Sequence, residues 1–164
     1  MQQPPDGQVS LIVFDFDGVL TDNRVIVLED GREAVFCNRA DGLAFDILRN
    51  AGLPVLIMTT ERNQLAAARA RKLRVPILRA VADKGVAIDV ICRERGVDPT
   101  HVMFVGNDVN DLPAMSRVGH PVAVADANPA VKAAATIVLG TRGGDGVARE
   151  VANLVLASKK VDTA

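Results

Sequence analysis

Short apolar segments alternate along this chain with segments of helical periodicity, and this alternation is the feature that most restricts the fold. Most of the apolar segments carry hydrophobic side chains at consecutive positions, which is typical of strands buried on both faces of a parallel sheet. Strands that alternate with helices predict a doubly wound, Rossmann-like α/β sheet. The predicted strands span residues 8–14, 53–59, 75–81, 101–106, 121–125 and 135–140, and the predicted helices span residues 41–52, 61–74, 83–96, 110–119, 128–135 and 146–160.

Residues 24–38 depart from this alternation. They carry β-forming residues on both sides of Asp30-Gly31, and Asp-Gly between such residues is a strong hairpin signal. We therefore predict a β-hairpin between the first strand and the first helix, too short to form a cap domain. A length of 164 residues with 49% hydrophobic residues predicts one domain over residues 1–164 with a sizeable core.

Composition excludes several classes of partner. The formal charge is −1, and Trp and Tyr are absent, so the chain offers neither a basic surface nor stacking platforms for nucleic acid. The N-terminus lacks a signal-peptide pattern, and no apolar run approaches the ~20 residues that span a bilayer. We expect a cytoplasmic protein with no membrane partner. Cys37 and Cys92 show no metal-ligand spacing and are expected to be reduced structural thiols.

Polar residues follow four of the predicted strands. Ligands of open α/β sheets bind beyond the carboxyl ends of the strands. An Asp at one such position is often a turn former or a helix N-cap, but four polar segments at one edge predict a shared site. The first of these segments also has three acidic residues within eight positions, Asp15, Asp17 and Asp22. Their carboxylates repel one another unless a cation lies among them. The segments are DFDGVLTD (15–22), TTERN (59–63), ADK (82–84) and GNDVND (106–111).

Taken together, these segments resemble the motifs of the haloacid dehalogenase superfamily of phosphotransferases, and the resemblance covers nearly the whole chain. It implies that Asp15 is a nucleophile that forms an aspartyl-phosphate and also binds a metal. It implies that Asp17 protonates the leaving alcohol and then activates water, while its backbone carbonyl reaches the metal. Thr59 and Lys84 would bind the transferring phosphoryl group.

The residue types also suit this chemistry without reference to the resemblance. A phosphomonoester is a dianion, so a carboxylate attacks it readily only when cations screen the repulsion. Mg²⁺ is the expected cofactor because it is a hard ion that takes oxygen ligands. Asn107 stands where many family members have an Asp metal ligand. It could bind through its amide oxygen, with Asp108 or Asp111 adding charge, and the sequence leaves open which of these residues contacts the metal.

The missing cap narrows the substrate class. Capless members that resemble this chain are phosphatases of 3-deoxy-2-keto sugar-acid phosphates, such as 3-deoxy-manno-octulosonate 8-phosphate. They are tetramers whose hairpins pack together and whose neighbouring subunits complete each pocket. The resemblance therefore implies a homotetramer and a small sugar-phosphate substrate. It is carried by FCNRADGLAFDIL (36–48), GNDVNDLPAMSRVG (106–119), AVADANPAVKAAA (123–135) and GGDGVAREV (143–151).

Residues after the second strand help to select the sugar. Octulosonate phosphatases typically read Thr-Gly-Arg there, whereas this chain reads Thr59-Thr60-Glu61, which resembles phosphatases of nine-carbon acids, the nonulosonate 9-phosphates. In those, the Glu and a basic residue from a neighbouring subunit contact the sugar. The matching basic positions are Arg69 and Lys72. Alternatively, Glu61 is an acid in the first turn of a helix, and the two basic residues form a solvated helix face.

Arg39 lies in a segment that the resemblance places at the pocket rim, where it could bind a carboxylate bidentately or pair with a surface acid. Two alternative functions stay open at this stage. One is a non-catalytic oligomerisation module, like the related domains fused to cytidylyltransferases. The other is a broad-specificity phosphatase of small molecules.

Overall fold

The computed structural model describes residues 8–161, and of these the side chains of residues 8–157. Short 3-10 turns at Pro99–His101 and Val109–Asp111 supplement the helices and strands. The elements follow one another as β1 (Leu11–Asp15), β2 (Ile26–Val27), β3 (Glu33–Ala34), α1 (Arg39–Asn50), β4 (Val55–Met58), α2 (Leu65–Leu73), β5 (Ile77–Leu78), α3 (Lys84–Arg95), β6 (Val102–Gly106), α4 (Leu112–Met115), β7 (His120–Ala123), α5 (Pro129–Ala134), β8 (Ile137–Val138) and α6 (Val147–Val161).

The six predicted strands form one parallel sheet in the order β5-β4-β1-β6-β7-β8, flanked by helices, which confirms the predicted fold class. Strands β1 and β6 lie at its centre and are buried along their whole length, as their continuous apolar sequences require. The chain first adds strands on one side of β1 and then crosses to the other side. This change of direction opens a cleft at the carboxyl end of β1.

Two helices differ from their predicted extents. Helix α2 begins at Leu65 rather than near residue 61. The segment predicted as a helix over 110–119 contains a 3-10 turn and the four-residue α4. Helix α3 begins at Lys84 because the side chain of Asp83 accepts hydrogen bonds from the backbone N–H groups of Gly85 and Val86, at 2.8 and 3.0 Å. This cap fixes Lys84 at the cleft.

The predicted hairpin is present as β2 and β3, paired antiparallel around a turn at residues 28–32. In the isolated chain it exposes apolar side chains, with Val27 and Phe36 65% and 63% exposed. No cap domain lies between β1 and β4. Among the described helices, none has the length and apolar character needed to cross a membrane.

Candidate active site

Three neighbouring strands and one helix bring the predicted catalytic residues to the same cleft. Asp15 is the last residue of β1, and Thr59 directly follows β4, whose Met58 pairs with Asp15. Asn107 directly follows β6, and Lys84 is the first residue of α3. The carboxyl ends of parallel strands meet at one edge of a sheet, so residues far apart in sequence become neighbours here.

A buried lysine joins two carboxylates at the base of the cleft. Nζ of Lys84 lies 2.6 Å from Oδ1 of Asp15 and 2.6 Å from Oδ1 of Asp111. All three residues are buried, with relative exposures of 1%, 4% and 0%. A buried charge is tolerated when it is paired and hydrogen-bonded. The arrangement fixes the position of the Asp15 carboxylate.

Burial also sets the electrostatics of this cluster. It raises the pKa of Asp15, and the neighbouring Asp111 carboxylate adds to that rise; Lys84 opposes both, and the pKa settles at about 7. For Lys84, burial acts to lower the pKa, but the Asp15 and Asp111 carboxylates outweigh it and the pKa is raised. Lys84 is therefore a fixed cation beside the candidate nucleophile.

Asp17 lies closer to solvent, above this cluster. Oγ1 of Thr59 donates a hydrogen bond of 3.3 Å to Oδ2 of Asp17. Burial raises the pKa of Asp17, and the nearby carboxylate of Glu61 raises it further. A carboxyl group whose pKa is raised is suited to donate a proton to a leaving group.

The loop after Asp17 brings its backbone close to Asn107. Gly18 has φ = +82°, and a Cβ on it would lie 2.1 Å from Nδ2 of Asn107. Only glycine combines this backbone conformation with room for the amide. On its other side the loop is packed against the Gly143–Gly144 turn, since a Cβ on Gly143 would lie 2.1 Å from the carbonyl oxygen of Gly18. The N–H of Gly144 donates to the carbonyl of Val19 at 3.0 Å.

The oxygens around Asn107 fit a divalent cation. Its amide places one polar atom 3.0 Å from the carbonyl oxygen of Asp17 and 3.1 Å from Oδ2 of Asp15. With nitrogen at that position, both contacts are hydrogen bonds. With oxygen there, the amide oxygen faces the two other oxygens at about the 3 Å spacing of neighbouring ligands around octahedral Mg²⁺. Within residues 8–157 no three Asp, Glu, His or Cys side chains cluster as a metal site, so backbone and amide oxygens must contribute.

Asp108 and Asp111, also predicted as candidate metal ligands, have other contacts. Oδ1 of Asp111 bonds Lys84, and its Oδ2 accepts the backbone N–H groups of Asn107 and Asp108, at 2.8 and 3.2 Å. Asp108 is exposed, and its Oδ1 accepts the N–H of Val109 at 2.7 Å. These contacts support Asp111 as the residue that holds Lys84 and the Asn107 loop in place. We therefore retain Asp15, Asp17 and Asn107 as the proposed ligands.

The third acid of the crowded segment has its own cation. Oδ2 of Asp22 lies 2.6 Å from Nη2 of Arg24, and this contact lowers the pKa of Asp22. Two of the three carboxylates that the sequence places close together therefore have separate cationic partners. Asp22 is balanced by a surface arginine, and Asp15 by a buried lysine.

Glu61 lies in an irregular segment before α2 rather than in a helix. Its N–H donates to Oγ1 of Thr59 at 3.0 Å, and its carbonyl accepts from the N–H of Ala80 at 3.0 Å. The alternative that Glu61 is a first-turn acid of α2 is therefore wrong. Glu61 and Asp17 line the same cavity, of about 200 Å³, and Thr60 is exposed beside them.

The predicted basic residues do not line this cavity. Arg39, Arg69 and Lys72 instead border a separate cavity of about 500 Å³. Nη2 of Arg69 donates to the carbonyl of Asn38 at 2.6 Å, which holds its guanidinium in place. Arg39 and Lys72 have no ion-pair partner among the side chains that the structure describes.

Two residues of the Asp17 cavity were not predicted from the sequence. Glu33 of β3 and Asn63 border the Asp17 cavity together with Glu61. Nδ2 of Asn63 donates to Oε2 of Glu33 at 3.2 Å and so links the hairpin to the loop before α2. No local pattern signals this contact, because the orientation of a hairpin is set by packing distant in sequence.

Comparison with known proteins gives consistent matches. Residues 57–151 match the family model described as haloacid dehalogenase-like hydrolase. The 3-deoxy-D-manno-octulosonate 8-phosphate phosphatase of Yersinia pestis is 34% identical over 152 residues, covering 92% of this chain and 81% of the relative. A Streptomyces avermitilis structure assigned to the HAD family of hydrolases is 46% identical with a TM-score of 0.91, covering 96% of this chain and 91% of that one. The Moraxella catarrhalis octulosonate phosphatase, solved with magnesium, phosphate and KDO, is 26% identical with a TM-score of 0.87, covering 94% and 92% of the two chains.

Proposed function

Because this chain belongs to the haloacid dehalogenase-like hydrolases and is a phosphoric monoester hydrolase, we propose that it is a Mg²⁺-dependent phosphatase of a 3-deoxy-2-keto sugar-acid phosphate. The candidates are a nonulosonate 9-phosphate and 3-deoxy-manno-octulosonate 8-phosphate. The observation that carries the proposal is the buried contact of 2.6 Å between Lys84 and Asp15, with the other oxygen of Asp15 facing Asn107.

In the proposed reaction, a carboxylate oxygen of Asp15 attacks phosphorus and the bond to the leaving oxygen breaks, which gives an aspartyl-phosphate. Lys84 and Thr59 bind the phosphoryl oxygens, and Asp17 donates a proton to the leaving alcohol. Asp17 then accepts a proton from the water that attacks phosphorus, and the bond between phosphorus and the Asp15 oxygen breaks, which releases phosphate and restores the Asp15 carboxylate. A divalent cation held by Asp15, the carbonyl of Asp17 and Asn107 would screen the charge between the two anions.

Different observations support the two candidate sugars. The curated relatives named for the octulosonate 8-phosphate favour the eight-carbon acid. The position of Glu61 beside Asp17 favours the nine-carbon acid, because the Thr59-Thr60-Glu61 segment resembles that group. In either case the sugar carboxylate needs a cation. We propose that Arg69 and Lys72 of a neighbouring copy, with Arg39 at the rim, supply it.

The exposed hairpin supports the assembly that this arrangement requires. A two-stranded ribbon with exposed Val25, Val27 and Phe36 is marginally stable in water unless it packs against something. We propose a homotetramer held partly by these hairpins. Light scattering at micromolar protein should give the mass of a tetramer, whereas a monomer would contradict the proposal and leave the Asp17 cavity open to solvent.

The decisive experiment is a phosphatase screen over both sugar-acid phosphates, neutral sugar phosphates and p-nitrophenyl phosphate. It is run after metal removal and again with Mg²⁺ restored. We expect a sugar-acid phosphate to have the highest kcat/KM, and activity only with divalent cation. Similar kcat/KM values for all phosphates would indicate a broad-specificity phosphatase. Full activity of the metal-free enzyme would contradict the proposed metal role.

A further inference from the structure

A groove leads away from Asp17 along the hairpin. It comprises two adjoining cavities, one of about 200 Å³ that contains Asp17 and one of about 570 Å³ that runs toward α2. The walls of both cavities include Glu33, Glu61, Asn63 and Leu65. With the phosphoryl group reacting at Asp15 as proposed, this groove offers space to the leaving group.

The groove carries unbalanced negative charge. Its two arginines are already paired with surface acids, Arg24 with Asp22 at 2.6 Å and Arg32 with Asp30 at 2.7 Å. Neither Glu33 nor Glu61 has an ion-pair partner among the described side chains. A carboxylate of the substrate would be repelled here by like charges. Sugar hydroxyls, in contrast, can donate hydrogen bonds to the carboxylate oxygens.

Glu33 is placed to take part in such binding. Its Oε2 accepts a hydrogen bond of 3.2 Å from Asn63, which restrains the side chain from across the groove. A carboxylate has about four lone-pair sites, so Glu33 keeps acceptor capacity for a ligand. A restrained side chain also loses less conformational entropy when a ligand binds.

We propose that Glu33 is a specificity-determining residue that, together with Glu61, binds hydroxyl groups of the leaving group; this inference rests on the proposed function. The segment of substrate next to the phosphate is then an uncharged polyol. Any carboxylate of the substrate lies beyond the groove. The hairpin thus supplies, from within the same chain, a contact that a cap domain would otherwise provide.

The test uses two unactivated phosphates of equal chain length, sorbitol 6-phosphate and n-hexyl phosphate, which differ in their hydroxyl groups. For each enzyme variant, the ratio of kcat/KM between the two is measured with Mg²⁺ present. Glu33→Gln should lower this ratio by about tenfold, because the neutral amide of Gln accepts a weaker hydrogen bond than a carboxylate does and has one accepting oxygen instead of two. Glu29→Gln is the matched control, because Glu29 is on the same hairpin, exposed and outside the groove.

An unchanged ratio in Glu33→Gln, or an equal fall in Glu29→Gln, would overturn the inference. A parent enzyme that hydrolyses both phosphates equally well would also overturn it. Neither compound contains a carboxylate, so the test is separate from the proposed substrate. If the enzyme rejects sugar-acid phosphates but prefers sorbitol 6-phosphate through Glu33, the proposed substrate is wrong and the inference stands.

Discussion

The inner and outer ends of the active-site cleft differ in burial and in charge balance. At the inner end, Asp15, Lys84 and Asp111 are almost inaccessible, and their charges are paired at 2.6 Å. At the outer end, Glu33 and Glu61 are exposed and have no ion-pair partner among the described side chains, and Arg69 and Lys72 border a different cavity. One copy of the chain therefore preorganises the residues proposed for chemistry. The acidic and basic residues proposed to select the substrate, in contrast, lie in separate cavities of that copy.

The largest effect should come from removing the proposed nucleophile at the inner end. Asp15→Asn should abolish hydrolysis of every phosphomonoester, because an amide cannot attack phosphorus and no other group is placed to replace it. Lys84 keeps Asp111 as its partner, so the fold should persist. Phosphate release and circular dichroism measure the two properties. Activity above about a tenth of the parental value would contradict the role of Asp15.

A selective effect is expected at the outer end. Glu61→Gln should lower kcat/KM for the preferred sugar-acid phosphate by a factor that corresponds to about 1.5–3 kcal/mol of lost transition-state stabilisation. This is the usual range for a hydrogen bond to a charged group. Hydrolysis of p-nitrophenyl phosphate should fall much less. Steady-state kinetics on both compounds tests the difference. Equal losses on both would mean that Glu61 acts on the chemistry rather than on selection.

Asp15 and Glu61 also show how much of the site could be predicted from the sequence. The parallel sheet follows from the buried apolar segments, and the residues at the ends of these segments carry recognisable motifs, so Asp15, Thr59 and Lys84 could be located in advance. The surroundings of Glu61 could not. Its helical periodicity is overridden by hydrogen bonds to Thr59 and to Ala80, residues on or beside neighbouring strands. The approach of Glu33 likewise depends on how the hairpin packs.

A smaller effect, on the free energy of unfolding, should distinguish the buried ion pair of Lys84 from an exposed one. Asp111→Asn weakens the contact to buried Lys84 and should lower the free energy of unfolding by about 1–3 kcal/mol. Asp89→Asn is the matched control, because Asp89 pairs with Arg117 at the surface and such pairs contribute about 0–1 kcal/mol. Urea denaturation measures both variants. Equal stability losses would mean that burial does not strengthen the Lys84 cluster.

The smallest expected signal comes from testing whether Lys72 of one copy completes the site of a neighbouring copy. A chain with Asp15→Asn and a chain with Lys72→Ala should each be impaired on a sugar-acid phosphate. Random co-assembly should restore about a quarter of the sites, those with an intact Asp15 beside a neighbour's intact Lys72. Assays of co-expressed, purified mixtures against mixtures of separately assembled proteins measure this gain. No gain from co-assembly would place Lys72 outside a shared site.

The packing of the Gly143–Gly144 turn has a consequence for protein engineering. A designer who wished to graft a new domain over the cleft would first consider the loop after Asp17, because it borders the reacting groups. That loop has no space to lengthen, since the backbone of Gly143 already fills the position next to Gly18 and that of Gly144 the position next to Asp22. The hairpin tip differs, because a Cβ on Gly31 would meet nothing within 4 Å. Of these two positions, the hairpin tip of a single copy has room for added sequence, and a domain grafted there would also have to clear the neighbouring hairpins of the proposed tetramer.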